Sequence, residues 1–418
     1  MKLVETFKTN PAFRNLAIFF SIVGPGIITG SVDNDAGGIT TYSVAGAKYG
    51  YTLLWTLIPS FIALLAVQEM NARMGIVTGK GLADLIRENF GVKITFYIFI
   101  FLLVADIGNT ATEFAGVAGS MNVLGISKYL SVPLAAIAVW ILVVKGNYRL
   151  SEKVFLIFSV FLFSYVVSAL LAKPDWGVIG TAIITPKIHM DRDYIAMVLG
   201  LVGTTVAPWM QFYMQSSVIE KGIKIGDYKF TLWDVVLGCI ATIVVAFFII
   251  VSCAATLHAN GIQIEEAKDA ASALRPLAGA LASQLFAFGL FVASVFSATI
   301  LPLATAFYVC EAFGFEAGID KKFSDAPQFY TLFTLIILVG VVIILIPNAP
   351  LIEITIWTQV LNAILLPVVL ICMMIIINKK EIMEEYTNNR FQNTVGWVTS
   401  IILILLSSFL LLTGSGLG

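Results

Sequence analysis

Apolar runs recur along almost the whole chain, and each is long enough to cross the roughly 30 Å hydrocarbon core of a bilayer. They fall near residues 16–45, 51–76, 94–121, 129–145, 153–172, 194–219, 232–257, 278–313, 329–347, 351–378 and 395–413, about eleven spans. In lipid, backbone groups are satisfied only within helices or closed barrels, and these runs lack the alternating polarity of barrel strands. The expected fold is therefore an all-α polytopic membrane protein, one transmembrane domain over residues 1–418. Composition points the same way: 59% of residues are hydrophobic and only 12% charged, whereas a soluble domain carries about 25% charged residues. With 25 Lys and Arg against 26 Asp and Glu, no basic field is present to bind nucleic acid.

The cations set an expected orientation. With the N-terminus cytoplasmic, the inner loops take Arg73, Lys80, Arg87, Lys145, Lys221, Lys321 and Lys379, among others, and the larger share of the 25 Lys and Arg falls inside. An odd span count then places the C-terminus outside. The leading MKLVETFKTNPAFRN is basic, but the apolar run after it reaches Asp33-Asn34-Asp35 without a small-residue cleavage site, which reads as a retained first span. Cys239, Cys253, Cys310 and Cys372 form no CxxC pair and read as buried thiols. The spaced pairs Gly26/Gly30 and Gly46/Gly50 read as helix-packing contacts.

Two spans break the apolar pattern. In the first, Gly24-Pro25-Gly26 is followed by Ser31-Val32-Asp33-Asn34-Asp35-Ala36-Gly37-Gly38, which places two carboxylates and a glycine pair in mid-span. In the sixth, Gly203-Thr204-Thr205-Val206-Ala207-Pro208-Trp209 puts a proline at membrane depth. Pro208 lacks the N–H that would bond the Thr204 carbonyl, leaving that oxygen free to face a cavity. In secondary transporters, paired breaks in matching halves of the chain mark the substrate site. A carboxylate in hydrocarbon costs at least ~2.5–3.5 kcal/mol, so a cationic partner is expected for Asp33 and Asp35. Gln359 and Asn362 in the tenth span are one turn apart and share a helix face.

The stretch GPGIITGSVDNDAGGITTYSVAGAKYGYTLLWTL, continuing to ARMGIVTGKGLADLIRE, resembles the NRAMP family of divalent-metal transporters. The family's first-span Asp-Pro-Gly-Asn corresponds to Asp35-Ala36-Gly37-Gly38, its sixth-span Met-Pro-His to Ala207-Pro208-Trp209, its third-span Glu to Glu113 followed by Gly116 and Asn122, and its tenth-span Gln and Pro to Gln359 and Pro367. The resemblance implies a LeuT-like inverted five-plus-five repeat (residues 16–172 and 194–378, with an extra helix at 395–413) and broken helices one and six. It also implies alternating access in a bacterial plasma membrane, and a divalent cation as substrate rather than a resident cofactor. Carried over, the metal site is Asp35, Gly38, the Thr204 carbonyl and Ala207; beside these, Gln359 is expected to reach the ion directly or through water with Asn362 in support, and Asp33 to attract the hydrated ion.

The departures from the family are informative. Ala207 stands where the family has a Met thioether, a soft ligand that favours transition metals, and Gly38 replaces Asn, which is expected to enlarge the cavity. An all-oxygen site with room for water suits Mg²⁺, so the chain resembles the NRAMP-related magnesium transporter branch, with Mn²⁺ as a second substrate. The family's sixth-span histidines become Trp209 and Met214, its third-span Asp becomes Thr110, and its ninth-span arginines have no counterpart in Pro327-Gln328-Phe329-Tyr330. Proton coupling is therefore not expected. Two other readings remain: a proton-coupled Mn²⁺ or Fe²⁺ carrier with a relay rebuilt from Asp33, Glu113 and Asp106, and an organic-solute symporter of the same architecture, whose anion Asp33 and Asp35 would repel. No enzyme is expected: GxSxG and HExxH are absent, His189 and His258 read as solvated loop side chains, and Gly75–Gly81 reads as a short helix connection rather than a phosphate loop.

Overall fold

The computed structural model describes residues 24–145, 162–264, 279–319 and 321–413, together with 157 and 271. Among the described residues every regular element is helical. The basic N-terminal stretch, the start of the first span and much of the first half of the expected fifth span lie outside the described residues.

The first span is two helices. α1 (Pro25–Val32) begins with proline at its first position, where the missing N–H costs no bond, and α2 (Ala36–Tyr49) begins after Asp35. Gly50, at φ 58°, ends α2 in a conformation that L side chains rarely adopt. α3 (Leu57–Thr78) stops at left-handed Gly79, so the Gly75–Gly81 segment is indeed a helix end and connection. α4 (Leu82–Val123) is broken near its start by Gly91 (φ 79°, ψ 165°). α5 (Lys128–Lys145) and α6 (Ser164–Leu171) follow. Residues 173–193, expected to be loop, instead contain α7 (Trp176–Ile184), because Asp175 caps its first turn by accepting from the Gly177 and Val178 amides. α6 and α7 meet at a bend of 117°.

The sixth span is also two helices, α8 (Arg192–Thr205) and α9 (Pro208–Glu220). The remainder are α10 (Tyr228–Thr256), α11 (Ala280–Phe313), α12 (Pro327–Leu345), α13 (Leu351–Ile377), the short α14 (Lys380–Met383) and α15 (Arg390–Thr413). Nine described helical segments are long and apolar enough to cross a membrane, or ten with the bent α6–α7 pair. Neither half of the α1–α2 segment reaches that length alone.

The α8–α9 segment is the most enclosed, with 89% of its apolar window buried, against 22% for α5. The breaks therefore lie at the protein's centre, where irregular backbone is tolerated, while α5, α12 and α15 turn Leu and Ile outward. Small residues allow the close approach of α1 and α2 to α10. A Cβ on Gly26 or Gly30 would come within 2.6 Å of the α10 backbone at Asp234 or Gly238, and one on Gly46 within 2.6 Å of the Ile250 carbonyl. The packing role expected of Gly26, Gly30 and Gly46 is met. All four cysteines are buried and unpaired.

Candidate functional site

The break between α1 and α2 is Asp33-Asn34-Asp35, and the glycine pair expected within it is the first turn of α2. Asp35 (φ −73°, ψ 179°) caps α2, its Oδ1 accepting from the Gly38 amide at 2.5 Å. Glu113 on α4 accepts from the Ala36 amide at 3.1 Å. Two carboxylates thus sit on the free N–H groups of one helix start, where the helix dipole favours negative charge. Asn34 donates to the Thr242 carbonyl of α10 at 3.3 Å, which pins the loop. Asp33 is only 1% exposed, and among the described residues neither of its oxygens has a hydrogen-bond partner.

The second break is Val206-Ala207. The Val206 amide closes α8 on the Val202 carbonyl at 2.8 Å, and Ala207 (φ −70°, ψ 145°) redirects the chain into α9. Pro208 has no N–H for the Thr204 carbonyl. The Thr204 hydroxyl is buried without a partner among the described residues. It faces the other break: a Cβ built on Gly38 would lie 3.1 Å from it, 2.9 Å from the Asp33 carbonyl and 3.3 Å from Asp35 Oδ1. Tyr42 and Thr205, their hydroxyls 2.9 Å apart, tie the two breaks together. The Ala207 carbonyl accepts from Gln211, whose own oxygen takes bonds from Asn71 and Gln68 of α3.

α13 completes the cluster. A Cβ on Gly37 would collide with Gln359 Nε2 and stand 3.1 Å from Asp35 Oδ1, so only glycine admits the glutamine to the start of α2. Gly203 does the same for α8, where a Cβ would strike the Gln359 carbonyl. Asn362 donates to Gln359 Oε1 at 3.1 Å and to Asn109 Oδ1 at 3.0 Å. Asp35, Gly38, Thr204 and Gln359 therefore converge at one place, Asn362 stands behind Gln359, Ala207 lies at the α8–α9 joint, and Asp33 is buried beside them.

Three expectations are corrected. No cationic side chain reaches Asp33 or Asp35 among the described residues; backbone amides at the start of α2 take that place for Asp35. Replacement of Asn by Gly38 opens no space there, because a Cβ would already crowd the Asp33 carbonyl. His258 is exposed but not merely solvated: its Nδ1 lies 3.0 Å from the Ala47 carbonyl, near the end of α2. His189, also exposed, packs edge-on against Tyr194.

Sequence reasoning missed Asp234 and the partners of Asp106, which it named only as a relay candidate. Asp234 of α10 accepts from the Gly24, Gly26 and Ile27 amides and so caps α1. Asn109, Thr305 and Tyr308 surround Asp106. The available signal was a carboxylate or amide inside an apolar run, which is expensive unless used.

At the end of the bundle carrying the α4–α5 connection, a cavity of about 800 Å³ is lined by Thr40, Thr112, Gly116, Asn122, Lys128 and Asn348, among others. Thr40 is one turn beyond Gly37. At the opposite end, Arg73 pairs with Glu69 at 2.8 Å and bonds the Tyr386 carbonyl and Asn388, while Gln392 and Tyr228 bond Glu69. That lattice joins α3, α10, α15 and the α14–α15 connection. The larger cavity thus lies at one end of the bundle and the polar lattice at the other, where a smaller cavity of about 320 Å³ is lined by Gly79, Asp84, Ser216 and Glu311, among others.

Among the described residues no three His, Cys, Asp or Glu side chains converge to hold a metal ion. A cation at the breaks would instead meet one or two carboxylates together with neutral oxygens. The family model described as "Natural resistance-associated macrophage protein-like", Nramp, matches residues 26–413. The chain is 25% identical over 412 residues to the divalent metal cation transporter MntH of Yersinia pestis (strain Pestoides F), which covers 95% of this chain and 96% of that protein. The structure is similar to the Eremococcus coleocola manganese transporter, with a TM-score of 0.78 at 22% identity, covering 98% of this chain and 90% of the other. It is less similar to MhsT solved with L-phenylalanine, with a TM-score of 0.59 at 13% identity, covering 93% and 98%. The same overall helical fold is shared by all three.

Proposed function

The chain belongs to the Nramp family, and from that premise we propose that it is a secondary carrier of divalent metal cations, working by alternating access between the two ends of the bundle described above. The observation that carries this reading is the meeting of Asp35, the Thr204 hydroxyl and Gln359 at two facing helix breaks, with Asp33 buried beside them and no cationic side chain in reach among the described residues. Such a site is central and carries carboxylate and hydroxyl oxygens, to which Gln359 can add its amide oxygen by turning, so it suits a positive ion. The named relatives, a divalent metal cation transporter and a manganese transporter, support the substrate class.

Within that class the reading extends to Mg²⁺, with Mn²⁺ as a second substrate. Ala207 contributes no sulfur, and hard oxygen donors suit both ions. Proton coupling is not part of the proposal. Trp209 and Met214 are buried in place of titratable groups, and the Thr110 hydroxyl is used on the Asp106 carbonyl. The second reading, a proton-coupled Mn²⁺ or Fe²⁺ carrier, draws on the buried Glu113, whose Oε1 has no partner among the described residues. The proposal further includes eleven spans, counting α1–α2 as the first, repeats at 16–172 and 194–378, a bacterial plasma membrane, and a cytoplasmic N-terminus.

Uptake of Mg²⁺, Mn²⁺ and Ca²⁺ into proteoliposomes, with and without a pH gradient, tests the reading. Saturable uptake of Mg²⁺ and Mn²⁺ with no pH change inside the vesicles is expected. Acidification that tracks metal entry would replace it with the second reading, and absence of divalent uptake would overturn both.

A further inference from the structure

Asp106 of α4 is wholly enclosed, 1% exposed, and does not touch the candidate cation site. Three donors converge on its carboxylate. Thr305 and Tyr308 of α11 bond Oδ2 at 2.9 and 3.0 Å, and Asn109, one turn along α4, bonds Oδ1 through Nδ2 at 2.9 Å. A carboxylate so surrounded acts as an acceptor only, and that fixes the direction of everything attached to it.

The Asn109 amide turns its NH₂ to Asp106, with the same nitrogen also donating to Asn362 Oδ1 of α13 at 3.3 Å, and its oxygen faces α13. There Oδ1 accepts from Asn362 Nδ2 at 3.0 Å and from Gln359 Nε2 at 3.4 Å. Asn362 Nδ2 also donates to Gln359 Oε1 at 3.1 Å. The chain of amides ends with the Gln359 oxygen occupied and its nitrogen against Gly37, beside Asp35. In this arrangement Gln359 turns a donor toward the break, which complements the Asp35 carboxylate and opposes a cation. To ligate an ion, Gln359 must turn its oxygen inward, and the direction imposed from Asp106 resists that turn.

We propose that Asp106 is a positioning residue that sets, through Asn109 and Asn362, which face of the Gln359 amide meets the cation site, holding its nitrogen inward and so lowering the affinity for the ion. This rests on reading the Asp35–Gln359 cluster as the cation site. It assigns a role in affinity to a carboxylate that makes no contact with the ion.

The test is a double-mutant cycle in proteoliposomes, with Mn²⁺ and Mg²⁺ as probes. Asp106→Asn nearly preserves shape but lets the relay run in either direction, so Gln359 can present its oxygen. The apparent KM for Mn²⁺ is expected to fall roughly three- to tenfold, with a lower maximal rate because the ion leaves more slowly. That fall is expected to vanish when Gln359→Ala is present. Asn109→Ala cuts the same connection from the other side and should reproduce both results should Asp106→Asn fold poorly. A KM that is unchanged or higher in both variants, or one that falls equally in the Gln359→Ala background, overturns the proposal. Should the wild-type protein transport neither ion, the functional reading itself fails, a result distinct from an uncoupled cycle in an active carrier.

Discussion

Replacing Asp234 by asparagine should loosen the docking of α1 on α10. Three amides, those of Gly24, Gly26 and Ile27, point at this carboxylate at 3.1, 2.6 and 3.2 Å, and Asp234 is fully buried. Hydrogen bonds to a charged group are each worth about 1.5–3 kcal/mol, but Asp234→Asn keeps one acceptor oxygen and the shape. The shortest contact can survive, so a net loss near the lower end, about 1.5 kcal/mol, is the working figure. That corresponds to roughly a tenfold shift in any equilibrium in which α1 leaves α10. Cys239, one turn and a half beyond Asp234 on α10 and 2% exposed, reports the event. With Cys253, Cys310 and Cys372 replaced by alanine, maleimide labelling of Cys239 should accelerate about tenfold in the Asp234→Asn protein, with a lower melting midpoint in detergent. An unchanged labelling rate together with an unchanged midpoint would refute the capping argument.

Asp35→Ala should abolish divalent uptake while the protein stays monodisperse, since the lost α2 cap costs only about 1 kcal/mol; wild-type-like uptake would sink the site assignment. Asp33→Asn should raise the melting midpoint by removing a buried, partnerless carboxylate, and its milder effect on uptake should not change with salt, because bulk ions screen a buried group poorly; a strong salt dependence would place Asp33 in contact with solvent. Gln359→Ala should raise the apparent KM about tenfold, the equivalent of ~1.4 kcal/mol for one neutral ligand, and an unchanged concentration dependence would return Gln359 to ordinary packing. Ala207→Met alone should favour Cd²⁺ over Mg²⁺ in competition uptake by adding a thioether; Gly38→Asn is a poor companion, because its side chain would press on the Asp33 carbonyl.

Helix positions were legible because the rule behind them is local. A run of apolar residues in lipid must form a helix whatever its neighbours do, and the observed α11, α12 and α13 begin and end within about two residues of the hydropathy reading. The breaks were legible for a related reason, since Pro208 and the carboxylates Asp33 and Asp35 cannot sit in an uninterrupted apolar helix without cost. The helix α7 was not legible: its nine residues are apolar but too few to span a bilayer alone, and the helix depends on Asp175 capping its first turn.

The partners of the site were not legible, because they depend on which helices meet. A cation was expected beside Asp33 and Asp35 on the ground that buried charge needs a counter-charge. The protein meets part of that need for Asp35 with the amides of α2, and leaves Asp33 without a hydrogen-bond partner among the described residues. A buried carboxylate cluster with no cationic side chain in reach among the described residues is a poor arrangement for stability alone, since an unpaired buried charge is costly. It is well suited to a protein whose missing counter-charge is its cargo: the ion offsets the cost when it binds, and the site is again unbalanced when it leaves. Strong internal compensation, such as a buried Lys beside Asp35, would have made the empty state too comfortable to recruit a cation. The glycines at 37 and 203 serve the same end, since they let the neutral amide of Gln359, rather than a charge, approach the carboxylate.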